Sequence, residues 1–488
     1  MLRRDFLHGL AASGALLALP ARAAVDETRA RYLANLSVQP RLAALRGCTA
    51  ERLSGVATIT GRWPAELSGT FYRNGPARFE LGGERYHHWF DGDGMVHAWR
   101  IEAGRIGHAA RFVGTPKYVE ESAAGQFLYP AFGTDIARRP VRNNDTLNTA
   151  NTNVVPHAGR LYALWEGGSA TELDAASLAS RGPCAWRTDL AAMPFSAHPR
   201  ITPDGVLWNF GVVPGANKLL LWRIDADGTL GRFGMVKVAH LPMVHDFVVT
   251  ARYLVFLVPP FDMESDARTY LDAHVWNSKR PLRALVINRA DFSLQRVIEM
   301  PAGVAFHLGN GWDDGDTVRF DACLTADDSG LRALAGVMRG ENWHEAVTDS
   351  MLITLNLRNG TARSETLLRG TEFPRVAAAE VGARYRQLFM TTTVNTDQFG
   401  MTGVASVDLD SGRVDRFEYG PDWIVEEHIP LPKAGGAGQW LLGVACDMRQ
   451  QQSVLTVLDG AQLSQGPVAQ AHLPYAAPLC FHGNFLAV

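Results

Sequence analysis

The common cofactor and redox signatures are missing from this sequence. Its 488 residues include only five cysteines, Cys48, Cys184, Cys323, Cys446 and Cys480, with no C-x-x-C pair among them. That spacing excludes a zinc ribbon or thioredoxin-like motif, leaves any disulfide pairing open, and makes buried free thiols the expectation. No G-x-G-x-x-G follows a strand-like run and no P-loop occurs, so no nicotinamide, flavin or nucleotide site is expected. H-E-x-x-H is absent as well. A net charge of −3 supplies no general attraction to phosphate, so nucleic acid is not an expected partner. Long amphipathic helices are also missing; the helical pieces expected are short, at 26–45 and 269–275. What the chain does have is turn chemistry, with 47 Gly and 25 Pro, which favours many short strands.

One long apolar run exists, at the N-terminus. Arg3 and Arg4 precede Phe6 and Leu7, an apolar stretch from Leu10 to Leu19 follows, and Pro20-Ala21-Arg22-Ala23 offers a small-x-small cleavage site. The apolar stretch is too short to span a bilayer and resembles a removed signal of the twin-arginine kind. Residues 1–23 are therefore expected to be an export signal and 24–488 a single mature, periplasmic domain.

A hairpin unit recurs from about residue 160. An apolar strand ends in Asp or Asn, turns, and re-emerges as a second strand, with Asp227-Gly228, Asn359-Gly360 and Ser411-Gly412 at three of the turns. The strand-ending residues Asp174, Asp225, Asn288, Asn356 and Asp408 are 51, 63, 68 and 52 residues apart. Irregular repetition of a hairpin over some 300 residues predicts an all-β propeller with unequal loops forming a cap on one face.

Four of the 15 histidines sit in similar apolar or small-residue contexts: His198, His245, His307 and His482. Their separations of 47, 62 and 175 residues match one, one and about three blade steps. A propeller brings equivalent blade positions to its axis, where four imidazoles would suit iron, copper, zinc or nickel. His87 and His88 are adjacent, so on a strand they face opposite ways and do not share an ion.

These residues lie in recognisable surroundings. FYRNGP, HHWFDGDGMVHAWRI, RFVGTPKYVEESAAGQFLYPAFGT and NTANTNVVPHAGRLYALWEGG, with the four histidine segments in order, resemble the carotenoid cleavage oxygenase family. The likeness spans nearly the whole mature chain and is strongest to the bacterial apocarotenoid-cleaving branch. It implies a seven-bladed propeller with a loop and helix cap over one Fe(II) per chain, held by His198, His245, His307 and His482. It also implies three glutamates that orient these histidines, matched here to Glu166, Glu372 and Glu427, with Glu426 competing for the third position. Thr152 matches a small residue beside a vacant iron position. Lys117 lies in a region comparable to the phenol-binding lysine of the stilbene-cleaving branch; the alternative for it is a solvated surface lysine.

The implied reaction inserts O2 across a C=C bond to give two carbonyl products, the alkene supplying every electron, so no reductant is needed. Four neutral imidazoles, in place of two histidines and a carboxylate, leave the metal its full positive charge. Carboxylates behind them accept the Nδ1–H bonds and aim Nε2 at the metal. The expected substrate is an apolar apocarotenoid or carotenoid; the rivals are a stilbene or phenylpropenoid alkene and, from another class, a non-catalytic propeller binding protein. The apolar segments 127–132 and 256–261 are candidates for a substrate tunnel, for peripheral membrane contact, or for core.

Overall fold

The computed structural model describes residues 21–343, 348–394, 397–436 and 438–488. The expected export signal falls almost wholly outside them, and its expected cleavage point lies inside a helix at Ala21–Asn35.

Seven antiparallel sheets radiate from a common axis. Their innermost strands, taking the blades in ring order from blade 1, are His482–Ala487, Asn153–His157, Arg200–Ile201, Phe247–Val249, Val304–Asp314, Thr371–Arg375 and Trp423–Pro432. The ring closes from both chain ends. The C-terminal strand His482–Ala487 is the inner strand of blade 1, paired to Gly69–Arg78, while the early strand Thr58–Gly61 completes the outer edge of blade 7 against Pro467–His472. This arrangement carries His482 to the axis from the last seven residues of the chain.

The repeated Asp and Asn residues end the third strand of blades 2 to 6, and local hydrogen bonds explain why. Asp408 Oδ1 accepts from the backbone N–H of Asp410 and Ser411, Asn356 Oδ1 from Arg358 and Asn359, and Asp174 Oδ1 from Ser177. A side chain that mimics the turn in this way stops a strand and starts a hairpin. The cores lie between blades: Phe210, Phe247, Phe256 and Leu285 pack between blades 3 and 4, and Val248, Leu257, Phe320 and Ile353 between blades 4 and 5.

The expected short helices are only partly realised. Residues 26–45 form the end of the helix Ala21–Asn35 and a 3-10 turn at Pro40–Leu45, whereas 269–273 are turns leading into a short strand, His274–Trp276. Two further helices were not expected. Pro116–Ala124 carries its own start and stop signals: Thr115 Oγ1 accepts from Tyr118 N at 3.1 Å, Pro116 opens the helix, and Gly125 ends it at φ 64°. Ser329–Met338 inserts between two strands of blade 5 and packs on the first helix, where the Arg85 guanidinium lies 3.3 Å from the Tyr32 ring centre and donates to Met338 O. These helices and the loops around them form the cap. No helix of the described residues is long and apolar enough to cross a membrane.

Candidate metal centre

The four histidines predicted from blade spacing meet at the axis. His198 and His245 stand just before the inner strands of blades 3 and 4, His307 lies within that of blade 5, and His482 begins that of blade 1. All four are buried, and their candidate ligand atoms lie within 4.8 Å of one another. His245 Nε2 and His307 Nε2 are 3.3 Å apart.

Carboxylates stand behind three of the rings. His245 Nδ1 pairs with Glu166 Oε1, His307 Nδ1 with Glu372 Oε2 at 2.5 Å, and His482 Nδ1 with Glu427 Oε1 at 2.9 Å. A carboxylate on Nδ1 keeps the proton there and leaves the Nε2 lone pair facing the axis. His198 differs. Its Nδ1 is 3.9 Å from Asp246, whose oxygens are occupied by Arg200 and by the backbone N–H groups of Phe247 and Leu308. Asp246 follows His245 directly and was not read as a site residue; it ties together the inner strands of blades 3, 4 and 5.

Sequence alternation alone does not set this geometry, because the inner strands are bulged at the site. In blade 5, Phe306 and His307 together oppose Cys323; in blade 7, Glu426 and Glu427 together oppose Val444. In blade 6, Phe373 and Pro374 oppose Met390, with Phe373 at φ 56°. A bulge re-aims a side chain that regular pleating would send elsewhere. The one in blade 7 turns two consecutive glutamates inward, where they share Arg73 but only Glu427 meets His482. Glu427 accepts from His482, Arg73, Arg375 and the Gly483 N–H, whereas Glu426 accepts from Arg73.

Protonation follows from burial and charge. Burial, with the neighbouring histidines, holds His198 well below the ordinary imidazole range. His482 is driven down to about 3 by burial, although Glu427 pulls the other way. Burial is the largest influence on His307 and opposes its charged form, but Glu372, helped by Asp246 and Glu427, raises that pKa. Burial would raise Glu427 too, yet Arg375, His482 and Arg73 hold it well below the usual carboxylate range.

The donor set fits a transition metal. His198 Nε2 is buried with no hydrogen-bond partner, an arrangement that costs free energy unless something accepts its lone pair. Four clustered imidazole nitrogens suit a borderline transition ion over calcium or magnesium, which prefer oxygen.

A cavity of about 250 Å³ opens on the centre and is walled by Trp89, Phe90, Phe306, Phe373, Phe399 and Phe481, with His245, His307, His482 and Thr152 among its lining. The Thr152 hydroxyl donates to Asn151 Oδ1 at 3.0 Å. The aromatic wall was not read from the sequence, although Phe306, Phe481 and Phe373 immediately flank site residues. Of the two apolar segments singled out, only Phe132 reaches the cavity; Phe127 stacks on Tyr86 and Phe256 is core.

Lys117 is neither a solvated lysine nor part of the cavity wall. It is fully buried under the helix Pro116–Ala124, where Nζ donates to Tyr86 Oη, Glu121 Oε2 at 2.8 Å and, more distantly, Asp93 Oδ1. His88 likewise belongs to the cap: its Nδ1 accepts from Phe90 N and its Nε2 meets Leu331 O. His428 is held by Tyr419, Thr456 and the Glu426 carbonyl within blade 7. All five cysteines are free thiols.

Comparison with known proteins gives a consistent result. Residues 46–487 match the family of the retinal pigment epithelial membrane protein, RPE65. The apocarotenoid-15,15'-oxygenase of Synechocystis sp. is 29% identical, the alignment covering 88% of this chain and 92% of that protein. The lignostilbene-alpha,beta-dioxygenase isozyme III of Sphingomonas paucimobilis is 27% identical over the same shares. A crystal structure of the cobalt-substituted Synechocystis apocarotenoid oxygenase superposes with a TM-score of 0.81 at 26% identity, covering 91% of this chain and 97% of that one.

Proposed function

This chain belongs to the RPE65 and carotenoid cleavage oxygenase family, a family of oxygenase enzymes, and on that premise we propose that it cleaves a C=C bond of an apocarotenoid or carotenoid with O2, using one Fe(II) per chain. The observation that carries the reading is the meeting of four buried imidazoles, three backed by carboxylates, beside an aromatic-walled cavity. His198, His245, His307 and His482 would hold the iron, and Glu166, Glu372 and Glu427 would fix the tautomer and direction of three of them. Iron bound here would supply the chemistry that lets O2 react with an alkene. The chain's own residues bind and orient: the phenylalanine and tryptophan faces take a flat apolar polyene and exclude water, and Thr152 limits the space next to the histidines. No general base is required, since one alkene and one O2 give two carbonyl groups with atoms and electrons balanced.

The stilbene-cleaving reading has support in the lignostilbene relative. The role it gives Lys117 is not supported by that residue's burial in an ion cluster, and this ranks the apocarotenoid reading first. Iron-loaded protein incubated under air with apocarotenals and hydroxystilbenes, followed by identification of the aldehydes, tests the ranking. Faster turnover of the apocarotenals is expected; a hydroxystilbene preference abolished by Lys117→Ala would reverse it. Periplasmic export through residues 1–23 is part of the same proposal, and recovery of only unprocessed protein from the cytoplasm would contradict it.

A further inference from the structure

Among the described residues lining the cavity there are five carboxyl groups, on Glu166, Asp327, Asp328, Glu372 and Glu426, and no lysine or arginine. Glu166 and Glu372 are committed to histidines, Glu426 to Arg73, and Asp328 to Arg332 at 2.7 Å. Among the described residues Asp327 has no ion-pair partner; its Oδ1 accepts from Ser329 N at 3.0 Å. That contact matters, because Asp327 and Asp328 precede the helix Ser329–Met338. A helix start can welcome a ligand's anionic group, and here it is already supplied with the chain's own carboxylates. Asp327 and Asp328 line the cavity and are partly solvent-exposed.

We propose that this cavity accepts alkenes with neutral ends (alcohol, aldehyde or hydrocarbon) and discriminates against those ending in a carboxylate, with Asp327 and Asp328 as the specificity-determining residues. The inference rests on the oxygenase reading for its substrate class but not for its electrostatics. A carboxylate approaching Asp327 and Asp328 would shed water to face charges of its own sign, and the guanidinium of Arg332 beside them is already paired with Asp328. A terminal hydroxyl donates to Asp327 or Asp328, and an aldehyde needs only shape and apolar contact. Like charges across a partly aqueous wall weaken binding by on the order of ten-fold and lose that effect as salt rises.

The test compares one polyene as its alcohol, aldehyde and carboxylic acid, and one stilbene with a hydroxyl or a carboxyl group. Binding is followed by quenching of tryptophan fluorescence, since Trp89, Trp165 and Trp343 line the cavity, and turnover is measured in parallel. We expect Kd and KM of each acid to exceed those of its neutral partner by about ten-fold at low salt, with kcat little changed. Asp327→Asn with Asp328→Asn keeps one acceptor oxygen on each side chain, removes both charges, and should narrow that gap chiefly by tightening the acids. Equal affinity for acid and neutral forms, or a gap insensitive to both salt and the asparagines, would overturn the proposal. A gap that persists in the stilbene pair when no polyene is cleaved would count against the apocarotenoid reading and leave this one standing. The salt series on the unaltered protein decides the matter if the double variant does not fold.

Discussion

His307→Ala should lose the metal and essentially all turnover. The imidazole is one of four donors, its Nε2 lies 3.3 Å from that of His245, and among the described residues no other histidine, cysteine or carboxylate joins the cluster to replace it. The loss should exceed the roughly 10–100-fold that removal of an outer partner of a metal site costs. The same outcome is expected for His198→Ala, His245→Ala and His482→Ala. The control is His428→Ala, which removes hydrogen bonds to Tyr419 and Thr456 inside blade 7. It should lower the melting temperature yet leave one iron per chain, measured by metal analysis of the folded fraction. Full iron content and turnover in His307→Ala would refute the ligand assignment.

Glu427→Gln should be the most damaging of the glutamate substitutions, because Glu427 serves two purposes at once. It accepts from His482 Nδ1, and it neutralises buried Arg73 and half-buried Arg375. Removing one partner of a buried ion pair typically costs about 3–5 kcal/mol, and the slackened His482 should weaken iron binding or turnover by about 10–100-fold. The pH dependence has a definite sign. The folded-state pKa is depressed, so the ionised carboxylate stabilises the fold above the ordinary carboxylate range and ceases to do so as pH falls through the lower, folded-state value. The deficit of the variant should therefore be constant from neutral to mildly acidic pH and shrink only in strong acid. Glu426→Gln should be much milder. Burial pushes that carboxyl up to about 7 against the pull of Arg73, so a neutral amide resembles the state it already approaches. Chemical denaturation of both variants across pH, with iron content alongside, checks this; equal deficits would sink the distinction.

The contrast between these neighbours shows where the sequence was readable. Strand-ending Asp and Asn residues announced the blades because they make turns by local hydrogen bonds, and the histidine separations followed from that repeat. Family likeness, not periodicity, pointed to Glu166, Glu372 and Glu427. Choosing between Glu426 and Glu427 required the bulge opposite Val444, which depends on the register of this strand against the next one, Gln439–Asp447, and not on the residues themselves. Lys117 was misjudged for a related reason: its neighbours Tyr86 and Asp93 arrive from another part of the chain and bury it. The helix Pro116–Ala124 had legible Thr-Pro and Gly signals but little apolar periodicity to draw attention to it. Phe306, Phe373 and Phe481 of the cavity wall were hidden because each is consecutive with a site residue, where alternation would have sent it to the opposite face.

The most direct test of the central claim is metal exchange. Protein stripped by a chelator should be reloaded separately with Fe(II), Zn(II) and Co(II), and each form assayed with an apocarotenal under air for aldehyde products and for metal bound. The account predicts one ion per chain in every case and aldehyde formation only with iron. Equal aldehyde formation by the stripped or zinc-loaded protein, or iron bound without the four histidines, would contradict it.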